Sequence, residues 1–178
     1  MPPLRAIFMF LLLAANTVLH VVPLLLVALV KALLPSEHLR RSADPLLTGV
    51  AESWIGVNSW MLDRFTGTCV HVQMDATLHD DGHYLVLANH QSWVDIVVLQ
   101  KVFNRRIPFM RFFLKRQLIW VPLLGLAWWA LDFPFMGRYT KKQIARRPEL
   151  AGRDIVATRR ACEKFRSIPV SIMNFVEG

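Results

Sequence analysis

YLVLANHQSWVDIVVLQKVF, residues 84–103, passes from a short apolar run through a polar break into a helical pattern. Residues 84–88 follow the turn residues Asp80, Asp81 and Gly82, so they read as a strand. Ser92, Trp93, Val94 and Asp95 have the form of a helix start: Ser92 is placed to cap, and Asp95 falls in the first turn, where a carboxylate suits the helix dipole. The helix is predicted over residues 93–103. In one continuous helix His90 and Asp95 would be turned roughly 140° apart and could not touch. With the chain bent between strand and helix, His90 lies on the loop and its ring can come back over Asp95. A carboxylate bonded to one imidazole nitrogen sets the tautomer and leaves the other nitrogen as a base. The plain alternative for the same pair is a helix cap. A strand-to-helix loop is a usual place for a site in an α/β domain, and no GxSxG elbow supplies a nucleophile. His90 is therefore expected to activate a hydroxyl that belongs to a substrate.

Further strands are predicted at residues 69–75, 107–110, 133–136 and 170–176, and helices at 112–131, broken at Pro122, and at 153–165. Alternating strands and helices predict an α/β domain over residues 67–178, with a mixed sheet flanked by helices. Before it, apolar residues from Leu47 to Phe65 repeat at three- and four-residue steps, giving an amphipathic helix in residues 43–66 that either packs on the core or anchors Trp54 and Trp60 in a headgroup layer.

Residues 7–34 are almost all apolar, longer than the about 20 residues that cross a hydrocarbon layer, and residues 1–42 are expected to be a membrane segment with a basic flank. Asn16, Thr17, His20 and Pro23 interrupt it, so it is expected either to kink near Pro23 or to turn back within one leaflet. A cleaved signal peptide is the rival reading. Lys31, Arg40 and Arg41 follow the segment and only Arg5 precedes it, which places the rest of the chain in the cytoplasm.

The chain has 178 residues, 54% of them hydrophobic, and a formal charge of +8. Residues 1–100 carry 5 Lys+Arg against 8 Asp+Glu, and residues 101–178 carry 16 against 5, so the second half holds the basic excess. That asymmetry points to an anionic partner. Nucleic acid is disfavoured, since no zinc-finger spacing, basic heptad region or RNA-binding consensus occurs. Cys69 and Cys162 stand far apart and read as reduced thiols. His71, His79 and His83 with Asp75, Asp80 and Asp81 match no ligand spacing, so no metal is expected there.

Asn89, His90, Ser92 and Asp95 fit NHxSxxD, and with three later blocks the chain resembles the lysophosphatidic acid acyltransferases, within the wider glycerolipid acyltransferases. The blocks are FLKRQLIWVPLLG, giving Lys115, Pro122 and Gly125; FPFMGR, ending in Arg138; and NFVEG, with Glu177 and Gly178. The resemblance spans about residues 69–178, and the apolar N-terminus agrees with the bacterial inner-membrane branch. It implies transfer of a fatty acyl group from acyl-CoA or acyl carrier protein to a lysophospholipid hydroxyl, with 1-acylglycerol 3-phosphate as the expected acceptor. His90 and Asp95 would be catalytic, Asn89 and Ser92 supporting. Lys115, Arg138, Glu177 and Gly178 would bind substrate, with no cofactor or metal. Another lysophospholipid or lipid-linked acceptor is the enzymatic alternative, and an anionic-lipid binder without turnover the non-enzymatic one. The third block of the family continues with Ser or Thr and Arg, so the chain is expected to be a fragment.

Overall fold

A single helix, α1 (Pro3–Leu33), takes up the apolar N-terminus and continues through Pro23. In the computed structural model, which describes residues 3–166 and 168–176, α1 does not turn back. Its stretch Leu4–Leu33 has a mean hydropathy of 2.3 and is long and apolar enough to cross a membrane. A short helix α2 (Glu37–Ser42) leads into α3 (Asp44–Thr66), which lies against α1.

The polar residues that interrupt α1 make this contact. Asn16 is buried and donates to the Trp54 carbonyl at 3.2 Å and to Asn58 Oδ1 at 2.8 Å. His20 Nε2 lies 3.2 Å from Ser53 Oγ, and Trp54 Nε1 donates to Thr17 Oγ1 at 3.2 Å. Each such bond is worth about 1 kcal/mol net, but a buried polar group left without one costs more, so the pairing of these two helices is specific. Lys31 and Asp44 close the connection as an ion pair. Trp54 thus faces inward, and only Trp60 of the two expected anchors is exposed.

The predicted strand at 69–75 does not form; these residues are mostly exposed coil. Its alternation is weak, and a strand needs a partner to satisfy its backbone. The chain then enters β1 (His83–Ala88), α4 (Val94–Phe103), β2 (Met110–Phe112) and β3 (Leu114–Lys115). A 3-10 turn at Arg116–Trp120 precedes α5 (Leu124–Ala130), and β4 (Phe135–Met136), α6 (Lys141–Arg146), α7 (Arg153–Phe165) and β5 (Val170–Phe175) follow. The expected helix at 112–131 is thus divided. The turn and α5 fold tightly onto each other: a Cβ at Gly125 would lie 2.0 Å from the Ile119 carbonyl oxygen, which is why glycine stands there.

The fold is α/β with helices flanking the strands, as expected, but among the described residues every strand pair is parallel rather than mixed. Among the described residues β5 runs between β1 and β2, parallel to both, and β3 pairs with β4 in parallel. A strand at 69–75 joined to β1 through the turn at Asp80–Gly82 would have run antiparallel to it, and that strand does not form. Parallel strands instead connect through helices. The core gathers Val21 and Leu24 of α1, Leu47, Ala51 and Ile55 of α3, Phe112, Leu131 and Met173. Buried Arg111 ties the far side, donating from Nε to the Leu131 carbonyl at 2.8 Å, with its guanidinium over Phe109 and Phe165.

Candidate active site

Register sets the position of His90. Ala88 is paired with Phe175, and the Val176 N–H donates to the Ala88 carbonyl at 3.1 Å, so the loop that leaves β1 starts beside the end of β5. Two residues later the His90 ring packs on Phe175, with centroids 4.0 Å apart. Phe175 in turn stacks with Phe112, and Phe112 with Phe133, so the imidazole rests on a column of core rings. This is the carboxyl end of a parallel sheet, where open α/β folds place their ligands.

Asp95 holds the loop. Its Oδ2 accepts from the Gln91 N–H at 2.6 Å and the Ser92 N–H at 2.8 Å, and the same oxygen lies 3.4 Å from His90 Nδ1. The backbone donors of Ser92, then Gln91, keep its carboxyl below the usual carboxylate range, with His90 adding a smaller effect. A lowered carboxyl pKa favours the folded loop above the unfolded pKa, and that contribution is lost only as pH falls through the folded value. Ser92 caps as expected, its Oγ accepting from the Val94 N–H at 3.3 Å, although the formal cap position falls on Trp93. The cap and the His–Asp pair are therefore one arrangement rather than alternatives.

His90, Lys115 and Arg138, 48 residues apart from first to last in the sequence, line one cavity of about 510 Å³. Its walls are otherwise largely apolar, including Trp54, Trp93, Trp128, Phe112 and Phe175. Asn89 and Ser92 stand on the loop and do not line it; Asp95 lies behind His90. Glu177 and Gly178 are outside the described residues. Two larger cavities, about 760 and 650 Å³, contain no His90. Chemistry rather than size singles out the smaller one of these three, because it joins the imidazole paired with Asp95 to two cations.

Asp154 also has a part in this geometry. Arg138 has φ 49°, a left-handed backbone that costs a non-glycine residue about 1–2 kcal/mol. Asp154, in the first turn of α7, holds it there: Oδ1 accepts from the Gly137 N–H at 2.7 Å and Oδ2 from the Arg138 N–H at 2.8 Å. In the sequence an acidic residue at a helix start is explained by the dipole alone, so no signal set Asp154 apart. Phe175 was equally hidden, as an ordinary apolar residue of a final strand.

Comparison with known proteins bears on the family and the fold. The acyltransferase family profile matches residues 69–178, more than half of the chain. No curated protein sequence matches significantly. Among solved structures, the 1-acyl-sn-glycerophosphate (LPA) acyltransferase PlsC from Thermotoga maritima is similar in fold, with a TM-score of 0.59 and 20% identity over 98% of this chain. The chain spans 62% of the length of that protein. With its matched segment carrying the His90 loop, both cations and the parallel sheet beneath them, the chain belongs to the acyltransferase family.

Proposed function

We propose that this chain transfers a fatty acyl group from acyl-CoA or acyl carrier protein to the free hydroxyl of a lysophospholipid, with 1-acylglycerol 3-phosphate as the acceptor. The observation that carries the reading is the shared cavity of His90, Lys115 and Arg138, because the reaction needs a base, a phosphate grip and apolar walls together. His90, turned to Asp95 through Nδ1, uses Nε2 to take the proton of the acceptor hydroxyl as its oxygen attacks the thioester carbonyl. A C–O bond forms, the C–S bond breaks, and the departing thiolate receives the proton from the imidazolium. Asp95 stabilises that imidazolium. Arg138 offers a two-donor fork and Lys115 a point charge to the acceptor phosphate. Glu177 and Gly178 are assigned to the acceptor headgroup in the same reading. α1 anchors the protein at the bacterial inner membrane with the domain toward the cytoplasm.

The test is direct. Membranes carrying the protein, given labelled acyl-CoA and lysophosphatidic acid, are expected to yield phosphatidic acid. Transfer only to other lysophospholipids or to a lipid-linked acceptor would replace the acceptor assigned here, and no transfer from either donor would leave a lipid binder.

Asp154 gives a second expectation. Asp154→Ala removes both backbone anchors of Arg138, and the acceptor KM is expected to rise roughly tenfold or more with a smaller change in kcat. Asp154→Asn keeps the shape but turns an amide NH₂ toward one of the two N–H donors, so it is expected to rescue little. Steady-state kinetics with acceptor and donor varied separately check this, and an unchanged acceptor KM would remove Asp154 from the phosphate grip.

A further inference from the structure

The segment between β3 and β4 has two faces. Leu118 and Trp128 line the His90 cavity. Outward, Trp120 is 85% exposed, and Leu123, Leu126 and Trp129 follow at three-residue steps, 38%, 54% and 61% exposed. This row does not stand alone, since α5 packs against α1, whose own outer side is exposed and apolar. Beside Trp120 a groove of about 760 Å³ is lined by Arg116, Arg153 and Arg160, with half-exposed Val156. Asp154, also in the groove, is spent on the Gly137 and Arg138 N–H groups and leaves the three guanidiniums dominant.

An indole among cations, continuous with an apolar helix, is the chemistry of a bilayer interface: indoles favour the headgroup level, and arginines bind lipid phosphates. A soluble anion would account for the arginines but not for the apolar row that runs on toward α1. We propose that the Trp120–Trp129 row and the arginines beside it form a second docking surface for an anionic bilayer, besides α1. This rests on the reading of α1 as a membrane segment. A contact that extends from α1 across this row fixes the tilt of the domain, so that the His90 cavity, walled by the same segment, opens at the lipid surface where a lysophospholipid lies.

The experiment uses the whole chain with exposed Cys69 and Cys162 changed to Ser, and single variants Trp120→Cys, Leu126→Cys and, as the aqueous reference, Val72→Cys. Each is labelled with an environment-sensitive fluorophore in vesicles of phosphatidylethanolamine and phosphatidylglycerol. Labels at 120 and 126 are expected to be quenched by a lipid-borne quencher, and several-fold less by iodide than the label at 72. Iodide quenching equal to that at 72 would overturn the proposal, as would shielding from both quenchers, which would mean that protein covers the row. Replacing phosphatidylglycerol by phosphatidylcholine is expected to raise iodide quenching at 120; no change would remove the arginines from the surface. Acyl transfer measured on the same samples keeps the outcomes apart, because an active protein with an iodide-accessible row refutes the docking surface alone.

Discussion

Replacing His90 by alanine is expected to lower kcat for acyl transfer by roughly 10²–10⁴-fold, the usual worth of a positioned general base. The fold should hardly notice. The loop is shaped by the Gln91 and Ser92 N–H bonds to Asp95, which do not involve the imidazole, and the core rings behind His90 pack on one another without it. Thermal unfolding of wild type and variant should therefore nearly coincide, and the acceptor KM should change little, because Lys115 and Arg138 remain. Single-turnover rates on matched amounts of reconstituted protein would decide the matter. Wild-type rates in the variant would end the role of His90 as base.

Asp95→Ala is expected to cost kcat roughly 10²-fold or more, by a different route. It removes the charge that faces the imidazolium and releases the loop that presents His90. Asp95→Asn separates the two effects. All three contacts converge on one oxygen, Oδ2, so two backbone N–H donors compel an asparagine to put its carbonyl there rather than its NH₂. That carbonyl still accepts from His90 Nδ1–H and preserves the tautomer. Only the charge is lost, and Asn should retain distinctly more activity than Ala. Because the pair acts as a unit, the His90→Ala, Asp95→Ala double variant should be no slower than the slower single variant. Additive losses would show that the two residues work independently.

Much of the framework was legible because its signals are local. The amphipathic pattern of α3, the basic helix α7 and the apolar run of β5 each carry their period within one segment, and each formed close to its expected bounds. Where the expectation failed, the deciding partner was remote. Residues 69–75 had a strand-like composition and found no neighbour to pair with. Residues 112–131 had helical hydrophobicity but were divided by pairing of Leu114–Lys115 with Phe135–Met136 and by the close packing of Gly125 on Ile119.

The bend between His90 and Asp95 is written locally in the sequence, since the helix start follows from the side chains of Ser92 and Asp95, which accept from the N–H groups of Gln91, Ser92 and Val94. The sequence also marks a long apolar segment at the N-terminus, with a kink or a turn back near Pro23 left open until the structure makes it one helix. It left Asn16, Thr17 and His20 as mere interruptions, whereas the structure turns each of them toward α3. That His90 lies on Phe175, that Lys115 and Arg138 enter its cavity, and that Asp154 holds Arg138 in a left-handed conformation all follow from contacts between distant segments. The physical reason is separation along the chain. A cap reads its neighbours a few residues away, but a site built from strand ends depends on register, and register is set by burial and pairing across the whole sheet.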